Sequence, residues 1–209
     1  MNDLQEVRPG LFRWTALHPD AEQDPKPGSP ADWGPEVGSV AWVGRDALVL
    51  VDPLVPADRP ELQRELDDLV RSHRRPVAIL TTLKFHRRSR PELAERYGAS
   101  TSRARASLPP SVVTVPIRGA GETMIWLPDL RTLVPGDRLL GEDAGGLRLC
   151  PDSWLRYLPS GMRRDALAEA LRPLLDLPVE SVVVSHGEAV LENGRDAIAQ
   201  ALAIQVDSA

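Results

Sequence analysis

Apolar positions along the chain fall mostly into short continuous runs closed by turn residues, and less often into longer segments with apolar residues three and four apart. Gly38-Ser-Val-Ala-Trp-Val43 and Ala47-Leu-Val-Leu-Val51 are two such runs, joined by Gly44-Arg-Asp46 in the pattern of a hairpin. Asp52-Pro53 closes the second run. Asp58-Arg-Pro-Glu61 then offers an N-cap, a first-turn proline and a glutamate three residues on, ahead of Leu62, Leu66, Leu69 and Val70 at helical spacing. The helix, predicted to about Ser72, leads into a buried strand at Val77–Thr81, so the strands on either side of it form a βαβ unit and pair in parallel. Before them, weak alternation over 7–15 predicts an edge strand. Leu17–Pro35, with five prolines and few large apolar residues, predicts a surface loop, either packed on the body or forming a flap, and it holds His18 and Trp33.

Ser89-Arg-Pro-Glu92 repeats the helix-start pattern, and Gly98 is placed to end that helix in the left-handed conformation. The polar, proline-ended stretch 99–110 reads as a connection. Runs at Ser111–Val115, Glu122–Leu127 and Arg131–Val134 predict further strands, Gly145–Leu149 a short one and Val182–Val184 a last buried one, with helices at Arg164–Leu175 and beyond Asn193.

Polar residues gather where strands end. Thr82, Lys84, His86, Arg87 and Arg88 follow 77–81, Asp137 follows Arg131–Val134, and His186 follows Val182–Val184. In open α/β sheets such strand ends converge on one crevice, so these residues form one candidate site. Lys84 and Arg87, with Arg118 in the turn Ile117-Arg-Gly-Ala-Gly121, make it basic.

Composition narrows the partners. Net charge is −5, which gives no global field for nucleic acid, and no apolar run approaches the roughly 18 residues of a membrane span. A single cysteine, Cys150, excludes an internal disulfide framework and points to a reducing compartment. With no basic segment followed by an apolar core at the N-terminus, a soluble cytoplasmic protein is expected.

The ordered set Gly38–Val43 with Ala47–Asp52, Val77–Thr81 into 82–88, Glu122–Pro128 with Gly136-Asp137-Arg-Leu-Leu-Gly141, and Val182–Gly187 resembles the metallo-β-lactamase fold of zinc hydrolases from about residue 7 to 200. The resemblance implies a mixed α/β (α+β) chain folded as a four-layer αββα sandwich, one domain over 1–209, with 17–35 a surface loop, 99–110 a connection between halves, and a metal site at one edge of the sheets. The family's His-x-His-x-Asp-His motif falls on Thr82, Lys84, His86 and Arg87, and its next histidine on Arg118. Of the expected ligands only Asp137 and His186 match.

Threonine is a poor zinc ligand and a lysine or arginine repels the cation, so a dinuclear centre is not expected. The leading expectation is a non-catalytic protein without cofactor, in which Lys84, Arg87 and Arg118 pair with Asp137 and the old cavity, lined also by Thr82, His86 and His186, binds a small anionic ligand or a partner. The alternative is a mononuclear hydrolase of an ester, thioester or lactone, with His86, Asp137 and His186 holding one Zn²⁺, Fe²⁺ or Mn²⁺. A third is a purely structural or assembly role. Asp52, at the family's strand-end aspartate, is expected to be structural.

Overall fold

The computed structural model describes residues 3–22, 24–26, 28–29, 31–101, 108–156, 158 and 160–203. The hairpin and the βαβ unit organise the first half. Strands β3 (Glu36–Val43) and β4 (Leu48–Val51) pair antiparallel, helix α1 (Pro60–His73) follows, and β5 (Val77–Leu80) pairs parallel to β4. The edge strand predicted over 7–15 is two strands, β1 (Gln5–Arg8) and β2 (Leu11–Leu17), because Pro9 and Gly10 turn the chain, Gly10 at φ +72°. The five form one sheet in the order β1-β2-β3-β4-β5.

A second sheet follows helix α2 (Arg90–Tyr97). Strands β6 (Val113–Ile117), β7 (Glu122–Leu127) and β8 (Thr132–Val134) form a meander, and β11 (Ser181–Val182) lies parallel to β8 at the other edge. Between them come the small hairpin β9 (Leu139–Gly141) with β10 (Leu147–Leu149), and helices α3 (Asp152–Leu155) and α4 (Arg164–Leu171), while α5 (Gly194–Ala203) ends the described chain. The helix expected to run to Leu175 ceases at Leu171 and tightens into a 3-10 turn over Arg172–Asp176, where Pro173 cannot donate. No helix among the described residues is long and apolar enough to cross a membrane.

The layers follow from alternation along the strands. On β4, Val49 and Val51 point at Ile125, Leu127 and Val134 of the second sheet, so the two sheets pack face to face. Leu48 and Leu50 point the other way, onto Leu62 and Leu66 of α1 and Leu93 of α2. On the second sheet Met124, Trp126 and Leu133 face outward onto Leu167 and Leu171 of α4 and Ile198 and Leu202 of α5. Helices, sheet, sheet and helices thus stack as an αββα sandwich.

The helix starts differ from expectation. Neither Asp58 nor Ser89 caps a helix through its side chain: the residue before α1 is Arg59, and Ser89 Oγ instead takes the N–H of Val55, 2.9 Å away. Gly98 does end α2 in the left-handed region, at φ +59°. The connection 99–110 lies partly outside the described residues; Ser100 bridges to Ala78 beside β5.

One backbone contact ties the second half to the site. Gly141 N donates to His186 O at 2.9 Å, and a Cβ on Gly141 would run into the backbone of Glu188. Since backbone cannot yield as a side chain does, Gly141→Ala is expected to destabilise the protein by about 2 kcal/mol, measured by urea unfolding.

Candidate functional site

The site lies where β4, β5, β8 and β11 end. After Val51 the chain turns through Asp52 at φ +49°, an uncommon conformation for a residue with a side chain, and buries the carboxylate. Its Oδ1 accepts the N–H of Thr82 at 2.8 Å, and its Oδ2 accepts the Thr82 hydroxyl and lies 2.8 Å from His86 Nδ1. Asp52 therefore fixes both the start of the 82–88 loop and the orientation of the imidazole within it.

On its other side, His86 Nε2 lies 3.0 Å from Asp137 Oδ1, and His186 Nε2 lies 3.5 Å from the same oxygen. Both are ion-pair distances, and Asp137 Oδ1 and, on the far side of its ring, His186 Nδ1 are buried without a well-aligned hydrogen bond. Burial alone would push His86 down, but the charges of Asp137 and Asp52 outweigh it and raise its pKa to about 9. Burial would raise Asp137, yet the facing histidines hold its carboxyl well below the usual range.

Asp137 is set in place from behind. Glu122, fully buried at the start of β7, accepts the backbone N–H of Gly136 at 2.9 Å, of Asp137 at 2.8 Å and of Arg138 at 3.0 Å. Arg88, at φ +40°, reaches across the site, its guanidinium donating to Gly38 O, Asp52 O and Ser185 Oγ at 2.7–2.8 Å. It thereby ties the 82–88 loop to the residue preceding His186. Trp33 and Trp154 meet the His186 ring edge-on, with centroids 5.9 and 5.4 Å away, and His18 meets Trp33 at 5.2 Å. His18 is lowered, first by burial and then by the charge of Arg88.

Of the residues read from the sequence, Thr82, His86, Asp137 and His186 come together. Lys84, Arg87 and Arg118 are exposed, Lys84 with its ammonium 4.6 Å above the Phe85 ring. The ion pairs of Asp137 among the described residues are with the two histidines, because an imidazole at a strand end is held there by the backbone whereas a long ammonium or guanidinium side chain gains more by staying hydrated. Sequence reasoning gives Arg88 no role beyond its place in a basic run, passes over Glu122 and takes Asp52 as structural only. The signals available are Asp52 at a strand end opposite Thr82, and an acidic residue opening an otherwise apolar β7.

Among the described residues, His86, Asp137 and His186 form a group able to hold a metal ion, with ligand atoms all within 4.8 Å of one another. No family model matches the chain, and no curated protein sequence matches it. Solved structures do. A metallo-β-lactamase from Erythrobacter litoralis superposes with a TM-score of 0.60 at 16% identity, covering 98% of this chain and 92% of its own. The chain has the metallo-β-lactamase fold. A metallo-β-lactamase from the same organism in a mono-zinc form gives 0.60 at 14% identity over 98% and 96% of the two chains, and a metallo-β-lactamase family protein from Thermus thermophilus gives 0.55 at 16% over 97% and 81%. Within this fold the His86–Asp137–His186 group lies where strands of both sheets end.

Proposed function

We propose that the chain is a mononuclear metal-dependent hydrolase acting on an ester, thioester or lactone, with His86, Asp137 and His186 as the metal-holding residues. The observation that carries this reading is the convergence of three ligand-type side chains with their ligand atoms within 4.8 Å of one another, two of those residues having a buried polar atom without a well-aligned partner. Two imidazoles and one carboxylate suit Zn²⁺, Fe²⁺ or Mn²⁺ and leave positions open. A mono-zinc form of a fold neighbour is consistent with this stoichiometry. When bound, such an ion supplies Lewis-acid polarisation of a carbonyl and acidification of a water.

The chain's own residues do the rest. Asp52 accepts the proton of His86 Nδ1, which selects the tautomer with a free Nε2 lone pair and keeps the ring from turning. Arg88 fixes Ser185 and with it the approach of His186, while Trp33 and Trp154 flank that ring edge-on.

Protein loaded with one equivalent of Zn²⁺, Mn²⁺ or Fe²⁺ is expected to hydrolyse at least one of a chromogenic ester, a thioester and a lactone, and His186→Ala, left with one imidazole and one carboxylate, to show no metal-dependent turnover. Loaded protein that turns over none of the three sinks this reading. A second reading, non-catalytic binding of a small anion, draws on Arg88, whose buried Nε has no partner. Thermal stabilisation by phosphate or acetate that disappears in Arg88→Met would favour it.

A further inference from the structure

We propose that Glu122 is the positioning residue of the site, a buried carboxylate whose role is to hold the Asp137 turn in the geometry that aims Asp137 at His86 and His186. Both of its oxygens are engaged by one three-residue turn: Oε1 takes the Gly136 N–H, and Oε2 takes those of Asp137 and Arg138. A carboxylate at zero exposure carries a heavy desolvation penalty, and the nearest cation does not meet it fully. Arg138 Nε stands 4.0 Å from Oε2 and gives its hydrogen bond to Ala120 O instead.

Backbone donors of a single turn therefore compensate the charge, and the middle residue of that turn is Asp137. The partner wall is equally tight. Gly136 packs so closely on Thr82 that a Cβ there would collide with the Thr82 hydroxyl, which is itself bonded to Asp52. Thr123 N also donates to Thr82 O at 2.9 Å, so the residue after Glu122 holds the loop that carries His86. Glu122 thus sits at a junction that sets Asp137 against His86 from both sides. Burial pushes the Glu122 carboxyl up, while the charge of Arg138 and the backbone N–H groups of the turn act against that rise.

The inference rests on the metal-holding reading for its metal readout only. Glu122→Gln keeps the size of the side chain but has one acceptor oxygen, so its NH₂ must face either the Gly136 N–H or those of Asp137 and Arg138. The expected result is a folded variant, shown by cooperative urea unfolding in EDTA, whose Zn²⁺ affinity by titration calorimetry is ten- to a hundredfold below wild type, the range found for partners that orient metal ligands. In the metal-free protein the ring-nitrogen NMR signals of His86 and His186 are expected to move as Asp137 shifts.

Wild-type affinity together with unmoved ring signals in the variant overturns the proposal. If the wild-type protein takes up no Zn²⁺, the metal reading falls alone, and Glu122 is judged on the ring signals: displaced, they support it, and unmoved, they overturn it. Should Glu122→Gln not fold, Glu122→Asp, which keeps charge and both acceptors but shortens the reach, is expected to give the same displacement to a smaller degree, and unmoved signals there overturn the proposal likewise.

Discussion

Purified protein equilibrated with Zn²⁺, Mn²⁺ or Fe²⁺ and freed of excess is expected to retain about one ion per chain, and His86→Ala and His186→Ala to retain none. The group of three ligands has no spare member: removing one imidazole leaves a single nitrogen and a carboxylate, too few to compete with water. Loss of His86 also takes from the buried Asp52 carboxylate its imidazole partner at 2.8 Å, leaving it the N–H and hydroxyl of Thr82. His73, exposed in the last turn of α1, provides the control, and His73→Ala should keep the ion. Elemental analysis of the four proteins decides the matter. An ion-free wild type, or ions retained in both site variants, would overturn the metal-holding reading.

How much of this can be read in advance depends on whether the information is local. Continuous apolar runs such as Ala47–Val51 and Val77–Leu80 announce buried strands, and the helix between them forces the parallel pairing that is observed. Strand ends are equally local, which is why Thr82, His86, Asp137 and His186 can be picked out from their places after apolar runs. Direction of a side chain out of a loop is not local. Lys84, Arg87 and Arg88 are indistinguishable in a basic run, yet only Arg88 turns inward, because its left-handed backbone and three acceptors from Gly38, Asp52 and Ser185 select it.

Those acceptors come from residues 36 to 97 positions away, or 50 in the case of Gly38. The same holds for the helix starts. Ser89 has the sequence of a cap, but a backbone N–H at Val55, brought near by the fold, takes its hydroxyl. Glu122 is visible in the sequence only as a polar residue opening a strand, since its three donors lie 14 to 16 residues on. Competition by distant partners, not weak local preference, is what hides these residues.

The metal-free protein is expected to lose stability as the pH is raised from about 6.5 to about 9, and His86 is the reason. Its pKa is raised on folding from 6.5 to about 9, so the folded state holds a proton that the unfolded chain gives up earlier. The contribution is fully present below 6.5 and is lost as the pH rises through 9; the shift corresponds to something on the order of 3 kcal/mol for this buried group. Asp137 does not confuse the measurement. Its folded pKa is depressed, so its contribution is present above the ordinary carboxylate value and is lost only in acid.

Urea unfolding in EDTA at pH 6 and pH 9.5 should therefore show a marked fall for wild type and a much smaller one for His86→Gln, and equal falls would contradict the assignment. Adding Zn²⁺ reverses the sign. An ion held by His86 requires Nε2 without its proton, so proton and ion compete for the gap between His86 and Asp137, and metal affinity rises with pH over the same interval. Stability that falls with pH in EDTA and rises with pH in Zn²⁺ would place both effects on this one imidazole, since no other histidine of the chain lies between two carboxylates at ion-pair distance among the described residues.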